Sequence, residues 1–108
     1  MSAQVLTAPP VPVIPTDVWD FAREQGVDRP LPRLVDLSHH VFPTASRFEI
    51  LLEADPEMAD DRHIVFLLAV PLDVEESLTA DRLWIEGLNR LCPKAKVCVF
   101  RLSLDLEP

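Results

Sequence analysis

The feature that most constrains the fold is a pair of apolar runs within residues 46–70, separated by a short acidic turn. In the first run, SRFEILLEA, apolar and charged residues alternate, which predicts a half-buried antiparallel strand. The second run, RHIVFLLAV, is apolar on both sides, as is typical of a central strand. The connection, DPEMADD, contains a proline and several carboxylates, so the region as a whole predicts a β-hairpin.

Two short amphipathic helices are predicted before the hairpin. The first begins at Thr16 as its N-cap and stops at Gly26. A connector with two prolines, residues 28–32, precedes the second helix, which ends before Pro43 because a residue that precedes proline resists the helical conformation. The buried stripes are predicted to be Val18, Phe21 and Ala22 in the first helix, and Leu34, Leu37 and Val41 in the second.

A longer helix is predicted over residues 74–91, because Asp73 and Glu76 have the spacing of a capping box. Gly87 is expected to let this helix approach the sheet closely. A third strand is predicted from residue 94 onward, with Cys98 turned inward. The buried stripe of the helix is predicted to be Leu78, Ile85, Leu88 and Leu91, with Trp84 at its margin.

The order α-α-β-β-α-β predicts an α+β fold with a three-stranded, mainly antiparallel sheet and helices packed mostly on one face. A right-handed crossover through the third helix brings the last strand back in the direction of the second strand. The sequence does not decide whether the last strand pairs with the first strand or with the second. Residues 16–108 are expected to form a single domain, preceded by an extended, proline-rich arm over residues 1–15.

The charge balance narrows the range of partners. The chain has 18 acidic and 10 basic residues, a formal net charge of −8. Binding to nucleic acid or to anionic lipid needs clustered lysine and arginine, so neither is expected, whereas a basic protein partner is permitted. The first 15 residues contain no lysine or arginine and no long apolar run, so they are not typical of a secretory signal and favour a cytoplasmic location. Cys92 and Cys98 are expected to be free thiols, in keeping with that location.

Carboxylates and histidines provide one candidate chemistry. Asp36 and His40 lie one helical turn apart, and the acidic turn adds Asp55, Glu57, Asp60 and Asp61. Together they suggest a small metal-dependent hydrolase or nuclease, provided that the helix and the turn meet in space. The simpler interpretation is a solvated turn and exposed histidines. With two glycines in total and no glycine-flanked serine, the sequence predicts no cofactor and no catalytic nucleophile.

The second strand points to a different role. It is apolar on both faces, although the chain has helices enough to cover only one side of the sheet. Four residues are therefore predicted to form an exposed apolar surface: Leu51, Val65, Leu67 and Val99. Acidic residues border this surface. The sequence thus favours a non-enzymatic interaction protein, which forms a homodimer or caps a basic protein partner.

The segment DPEMADDRHIVFLLAVPLDVEESL resembles small bacterial α+β proteins of unknown function, which pair a D-P-E hairpin tip with an apolar strand and a D-V-E helix start. The resemblance extends over residues 48–91. It implies an antitoxin-like or accessory subunit that acts with a larger gene product, and it carries no catalytic residue.

Overall fold

The computed structural model describes residues 12–58 and 61–107. Most of the predicted arm, residues 1–11, lies outside the described residues, and residues 12–15 have no regular structure. The elements are helix α1 (Thr16–Gln25), helix α2 (Pro30–Val41), strand β1 (Arg47–Ala54), strand β2 (Arg62–Val70), helix α3 (Val74–Leu91), a 3-10 helix (Lys94–Val99) and strand β3 (Phe100–Leu106).

The three strands form one sheet in the order β1-β2-β3. β1 and β2 are antiparallel, with Arg47 opposite Ala69, whereas β2 and β3 are parallel, with Ile64 opposite Phe100. The α+β class, the element order and the parallel direction of the last strand are confirmed. The sheet is mixed rather than mainly antiparallel, and β2 is its central strand.

One face of the sheet carries the core. Alternate residues of β2 are fully buried against the helices, and Phe48, Ile50 and Phe100 from the outer strands join them. The β2 residues on this face are Ile64, Phe66, Leu68 and Val70. All three α-helices contribute side chains to the same cluster, so they pack on this side of the sheet.

Helices α1 and α2 form where the sequence predicts them, but each begins at a different residue. Gly26 ends α1 in the left-handed conformation, at φ 72°, as predicted. Thr16, however, is the first helical residue, and Pro15 occupies the N-cap position without a side-chain hydrogen bond. The predicted proline connector is wrong because α2 already begins at Pro30. A proline at the start of a helix lacks only an N–H that has no partner within the helix.

Helix α3 has the predicted N-terminus but a different buried face. The capping box is confirmed: Glu76 N donates to Asp73 Oδ1 at 2.8 Å, and Asp73 N donates to Glu76 Oε1 at 3.1 Å. The predicted stripe is wrong at Leu78 and Ile85, which are exposed. Leu88 is buried as predicted, and the helix also buries Trp84 and three small residues: Ser77, Ala80 and Gly87.

The cause is close packing of α3 against α2. A Cβ atom built on Gly87 would lie 2.5 Å from Leu37 Cδ2, so this glycine approaches α2 rather than the sheet. Trp84 Nε1 donates a hydrogen bond of 2.9 Å to Ser38 Oγ, which itself donates to Leu34 O at 2.7 Å. The contact between α3 and α2 is therefore made by small residues and by the hydrogen-bonded indole of Trp84, and not by the exposed aliphatic residues Leu78 and Ile85.

The third strand begins later than predicted. The register places Ile64 opposite Phe100, so residues 94–97 would fall opposite the hairpin turn, where no β2 strand is present to pair with them. This segment forms the 3-10 helix instead, with Lys96 N donating to Pro93 O at 2.8 Å. Consequently Cys98 is exposed, and the prediction that it points inward is wrong.

Candidate functional site

The second face of the sheet has no helix against it in the part of the chain that the structure describes. It presents alternate residues of all three strands, and its central row comes from β2: Val65, Leu67 and Ala69. Val65 and Ala69 are only 6% and 2% exposed. Leu51 and Leu67 are half-buried. We call this surface the open sheet face.

Three of the four residues predicted for an exposed apolar surface lie on the open sheet face: Leu51, Val65 and Leu67. Of these, Leu51 and Leu67 are partly exposed, whereas Val65 is buried. The fourth, Val99, lies in the 3-10 helix, where it is buried in the core cluster. Val99 therefore does not belong to this surface. Its position follows from the late start of β3, which removes it from the strand alternation.

Charged residues surround the central row of the open sheet face. Arg47, Glu49 and Glu53 are on β1, and Arg101 and Asp105 are on β3. Arg47 Nε lies 3.6 Å from Glu49 Oε2. Two arginines against three carboxylates give this face a formal charge of −1, compared with −8 for the whole chain. Most of the excess negative charge therefore lies elsewhere.

Helix α3 carries most of the highly exposed large apolar side chains. Among the described residues, four of the seven most exposed large apolar side chains lie on this helix. Val74, Leu78 and Ile85 share one side of the helix by their spacing of 4 and 7 residues, while Leu83 lies on another side. Their exposed fractions are 64% for Val74, 60% for Leu78, 51% for Leu83 and 41% for Ile85.

Leu83 lines a groove between α2 and the first half of α3. The groove has a volume of about 410 Å³ and apolar walls, which are formed by Val41, Leu72, Ala80 and Leu83. Its polar lining consists of Glu75, Glu76 and Thr79. We call it the acidic groove, because both charged residues that line it are glutamates.

A second hollow adjoins the acidic groove and shares Leu72 and Glu76 with it. It has a volume of about 600 Å³ and lies where β2 and β3 end and α3 begins. The charged residues that line this hollow are Asp73, Glu76 and Glu107. Ser46 Oγ donates a hydrogen bond to Glu107 Oε1, which links the residue before β1 to the residue after β3 across the end of β2. Among the residues that the structure describes, no lysine or arginine lines either concavity, so this end of the molecule combines apolar walls with negative charge.

Sequence reasoning missed the acidic groove, because it assigned the aliphatic residues of the third helix to the core. A signal was present in the spacing of the small residues. Ser77, Ala80 and Gly87 fall on the same side of the helix as Trp84, which identifies an equally good buried face. If that face is buried, the aliphatic residues on the other sides of the helix must remain exposed.

The residues proposed for a metal site are not brought together by the described structure. The ring of His39 lies 5.3 Å from that of Phe48, so the end of α2 that carries His40 packs beside the start of β1. The acidic turn follows the end of β1, roughly 20 Å further along the strand. Among the described residues, no three His, Cys, Asp or Glu side chains form a group that could hold a metal ion.

The individual carboxylates have local roles. Glu57 N donates to Asp55 Oδ1 at 2.8 Å, which stabilises the turn. Asp61 Oδ1 lies 3.3 Å from His63 Nε2. Asp36 and His40 are both exposed on α2. Asp60 lies outside the described residues.

A polar hollow of about 350 Å³ brings a cysteine near a histidine and an aspartate: Cys98, His63 and Asp61 line it together with Arg62 and Glu24. Arg101 Nη2 lies 3.1 Å from His63 Nε2, the same nitrogen that Asp61 contacts. One nitrogen cannot both accept from a guanidinium and donate to a carboxylate, so the two contacts require opposite placements of the proton on Nε2. Within the described ranges no hydrogen bond joins Cys98 to His63, so the hollow lacks the contact that would activate a thiol.

The two cysteines are both free thiols, as predicted, and they differ in their surroundings. Cys92 is buried at the end of α3, and this burial raises the pKa of its thiol above the ordinary value of 9.0. A raised pKa keeps Cys92 in the unreactive thiol form at neutral pH. Cys92 therefore acts as a small apolar side chain of the core.

The fold and its surfaces define the chain as an α+β protein with a mixed three-stranded sheet, helices on one face and an apolar groove with an acidic lining. Comparisons with protein-family models, with curated proteins and with solved structures gave no match. No helix in the described residues is long and apolar enough to cross a membrane.

Proposed function

We propose that this protein is a small non-enzymatic interaction protein, which binds a basic, amphipathic segment of a protein partner in the acidic groove. An antitoxin-like or accessory subunit is the version of this role that the sequence resemblance suggests. The observation that carries the proposal is Leu83, half exposed in an apolar groove whose charged residues are all carboxylates.

The apolar part of the groove supports binding to a protein. A surface helix normally buries its large aliphatic residues and exposes polar ones, whereas α3 buries several small residues beside Trp84 and exposes Leu83 in the groove. An exposed apolar side chain next to apolar walls is typical of surfaces that bind other proteins. A groove of about 410 Å³ beside Leu83 is large enough to accept aliphatic side chains from a partner.

The charge of the groove supports a basic partner. Glu75 and Glu76 flank the apolar walls, and Asp73 and Glu107 continue the same charge into the adjoining hollow. Lysine or arginine beside the apolar residues of a partner would complement these carboxylates. The net charge of −8 would also steer such a partner toward the protein before contact.

A peptide titration tests the proposal directly. The probe is a designed amphipathic helix with leucines along one face and lysines along the other, and its counterpart carries glutamates in place of the lysines. We expect the lysine peptide to bind at least about tenfold more tightly, and to shift the backbone amide resonances of Thr79, Ala80 and Leu83 in an NMR titration. Binding should weaken as salt is added, because the attraction is electrostatic.

Two matched pairs of variants separate the groove from general charge attraction. Leu83→Ser should weaken binding about tenfold, whereas Met58→Ser, which removes a somewhat more exposed apolar side chain from the hairpin, should not. Glu75→Lys should weaken binding more than Glu57→Lys, which makes the same charge change on the exposed turn. Equal losses within each pair, or no preference between the two peptides, would contradict the proposal.

No observation on the described residues favours the metal-dependent alternative. Its residues lie at opposite ends of β1 as far as the described chain extends, and the exposed pair on α2 has no carboxylate from the turn beside it.

A further inference from the structure

We propose that the open sheet face pairs with the same face of a second copy of this chain, to form a dimer with four layers in the order α/β/β/α. This surface lies on the opposite side of the sheet from α3, so the inference does not rest on the proposed function of the acidic groove.

The first argument is the composition of the central row. A sheet face that meets water normally alternates apolar residues on one side with polar residues on the other. β2 is apolar on both faces, and Val65, Leu67 and Ala69 form a continuous row on the face without helices. Val65 and Ala69 are already buried, so a second layer would remove from water the two half-buried leucines of this face, Leu67 and the neighbouring Leu51.

The second argument is that the charges on the open sheet face complement each other under a twofold rotation. An axis in the plane of the interface and parallel to the strands places β1 of one copy over β3 of the other, and β2 over β2. Arg47 and Asp105 occupy the same row of the sheet, because both align with Ala69. The rotation therefore brings Arg47 of each copy over Asp105 of the other.

Two further rows, those of Leu67 and Val65, are also compatible with this rotation. Glu49 and Ser103 both align with Leu67, so the carboxylate of one copy faces the hydroxyl of the other. Leu51 and Arg101 both align with Val65, so the leucine meets the aliphatic stem of an arginine. No like charges face each other within these three rows. Because the face carries a formal charge of only −1, the large negative charge of the chain does not oppose the contact directly.

The area of the open sheet face indicates how tightly the two copies are expected to bind. Three strands about 4.8 Å apart and about seven residues long give an area of roughly 14 by 23 Å. This area is smaller than the roughly 800 Å² per partner of a standard interface, so we expect a dimer that dissociates at micromolar concentrations.

Sedimentation velocity of the full chain, over a micromolar to millimolar concentration range, tests the dimer. The variants are Arg47→Asp, Asp105→Arg and the double variant with both changes. Each single change places like charges opposite each other twice in the dimer, so it should raise the dissociation constant at least tenfold. The double variant restores opposite charges in exchanged positions, and its dissociation constant should return to within about threefold of the wild-type value.

Arg82→Asp, the same charge change on an exposed position of α3, serves as the matched control and should leave the dissociation constant unchanged. Far-UV circular dichroism of each variant verifies that the fold is retained.

A wild-type chain that stays monomeric at all concentrations would show that the face is solvated and overturn the proposal. A double variant whose dissociation constant is no lower than those of the single variants would overturn the proposed axis. An equal rise in the dissociation constant of Arg82→Asp would show that net charge, and not the pairing of the two faces, causes the effect, and would overturn the proposal. Peptide binding in the acidic groove is measured separately, so either proposal can fail without the other.

Discussion

Ser38 and Trp84 form the one hydrogen bond between side chains that is buried among the described residues, and it joins α2 to α3. Both residues are fully buried. A buried indole N–H without an acceptor costs far more than a typical hydrogen bond contributes, because the group has lost its water. The Ser38 hydroxyl can accept from Trp84 while it donates to Leu34 O, so one small side chain satisfies the indole.

Ser38→Ala should therefore lower the free energy of unfolding by about 1–3 kcal/mol, since it leaves the Trp84 N–H buried and unpaired. The same substitution in a Trp84→Phe background should cost less, because no indole remains to be satisfied. Urea unfolding of the four chains gives the coupling between the two residues. An equal loss of unfolding free energy in both backgrounds would show that Ser38 stabilises the fold independently of Trp84.

At the scale of the elements, the contact between α2 and α3 determines which side of α3 is exposed. Gly87 allows the close approach, and Ser77 and Ala80 keep the same side of the helix small. The aliphatic residues are turned outward as a result, toward the acidic groove and the side of the helix that carries Leu78.

Gly87→Ala tests this packing, because the substitution normally stabilises a helix by about 1 kcal/mol. Here the new methyl group would lie 2.5 Å from Leu37 Cδ2 and 2.8 Å from Leu37 Cδ1, so we expect no gain or a loss of stability. In a Leu37→Ala background, which removes the obstructing methyl groups, the substitution should recover a gain of about 1 kcal/mol. Chemical denaturation in both backgrounds provides the comparison, and the same effect in each would contradict close packing of the two helices.

The elements themselves could be predicted well from local signals. The capping box at Asp73, the glycine stop of α1 and the alternation of β1 are properties of short segments, and the structure confirms each of them. The late start of β3 could not be predicted, because it depends on where β2 begins 30 or more residues earlier in the chain. The 3-10 helix forms in a segment whose own sequence alternates like a strand.

The candidate site could be predicted only in part, for the same reason. The apolar second face of β2 is visible in the sequence, which led to Leu51, Val65 and Leu67. The acidic groove depends on which of two apolar faces α3 buries, and the sequence offers both. Burial of an indole and small residues against α2 is a property of the tertiary contact, not of helical periodicity.

At the scale of the whole molecule, negative charge is the main electrostatic feature. The ion pairs between carboxylates and arginines in the described chain are exposed, with side chains 37–68% accessible to water, so each contributes little to stability. The net charge of −8 on 108 residues, by contrast, produces repulsion throughout the folded state.

Added salt should therefore stabilise the fold. Raising the ionic strength from about 0.1 M to about 1 M shortens the Debye length from roughly 10 Å to roughly 3 Å, which screens repulsion between distant carboxylates. We expect the urea midpoint to rise with NaCl at pH 7. The control is sucrose at matched osmolarity, which leaves the charges unscreened. A midpoint that falls with salt would show that the exposed ion pairs outweigh the repulsion.

The parallel pairing of β3 with β2 also has a consequence for synthesis of the chain. β1 and β2 can form their hairpin as soon as both have left the ribosome, whereas the far edge of β2 must wait until β3 has been made. At about 5–20 residues per second, the 36 residues from Val70 to Leu106 take about 2 to 7 seconds. During that interval the most apolar strand of the protein has one unpaired edge, and such an edge is a template for aggregation. The nascent protein is therefore most vulnerable just before its final strand emerges.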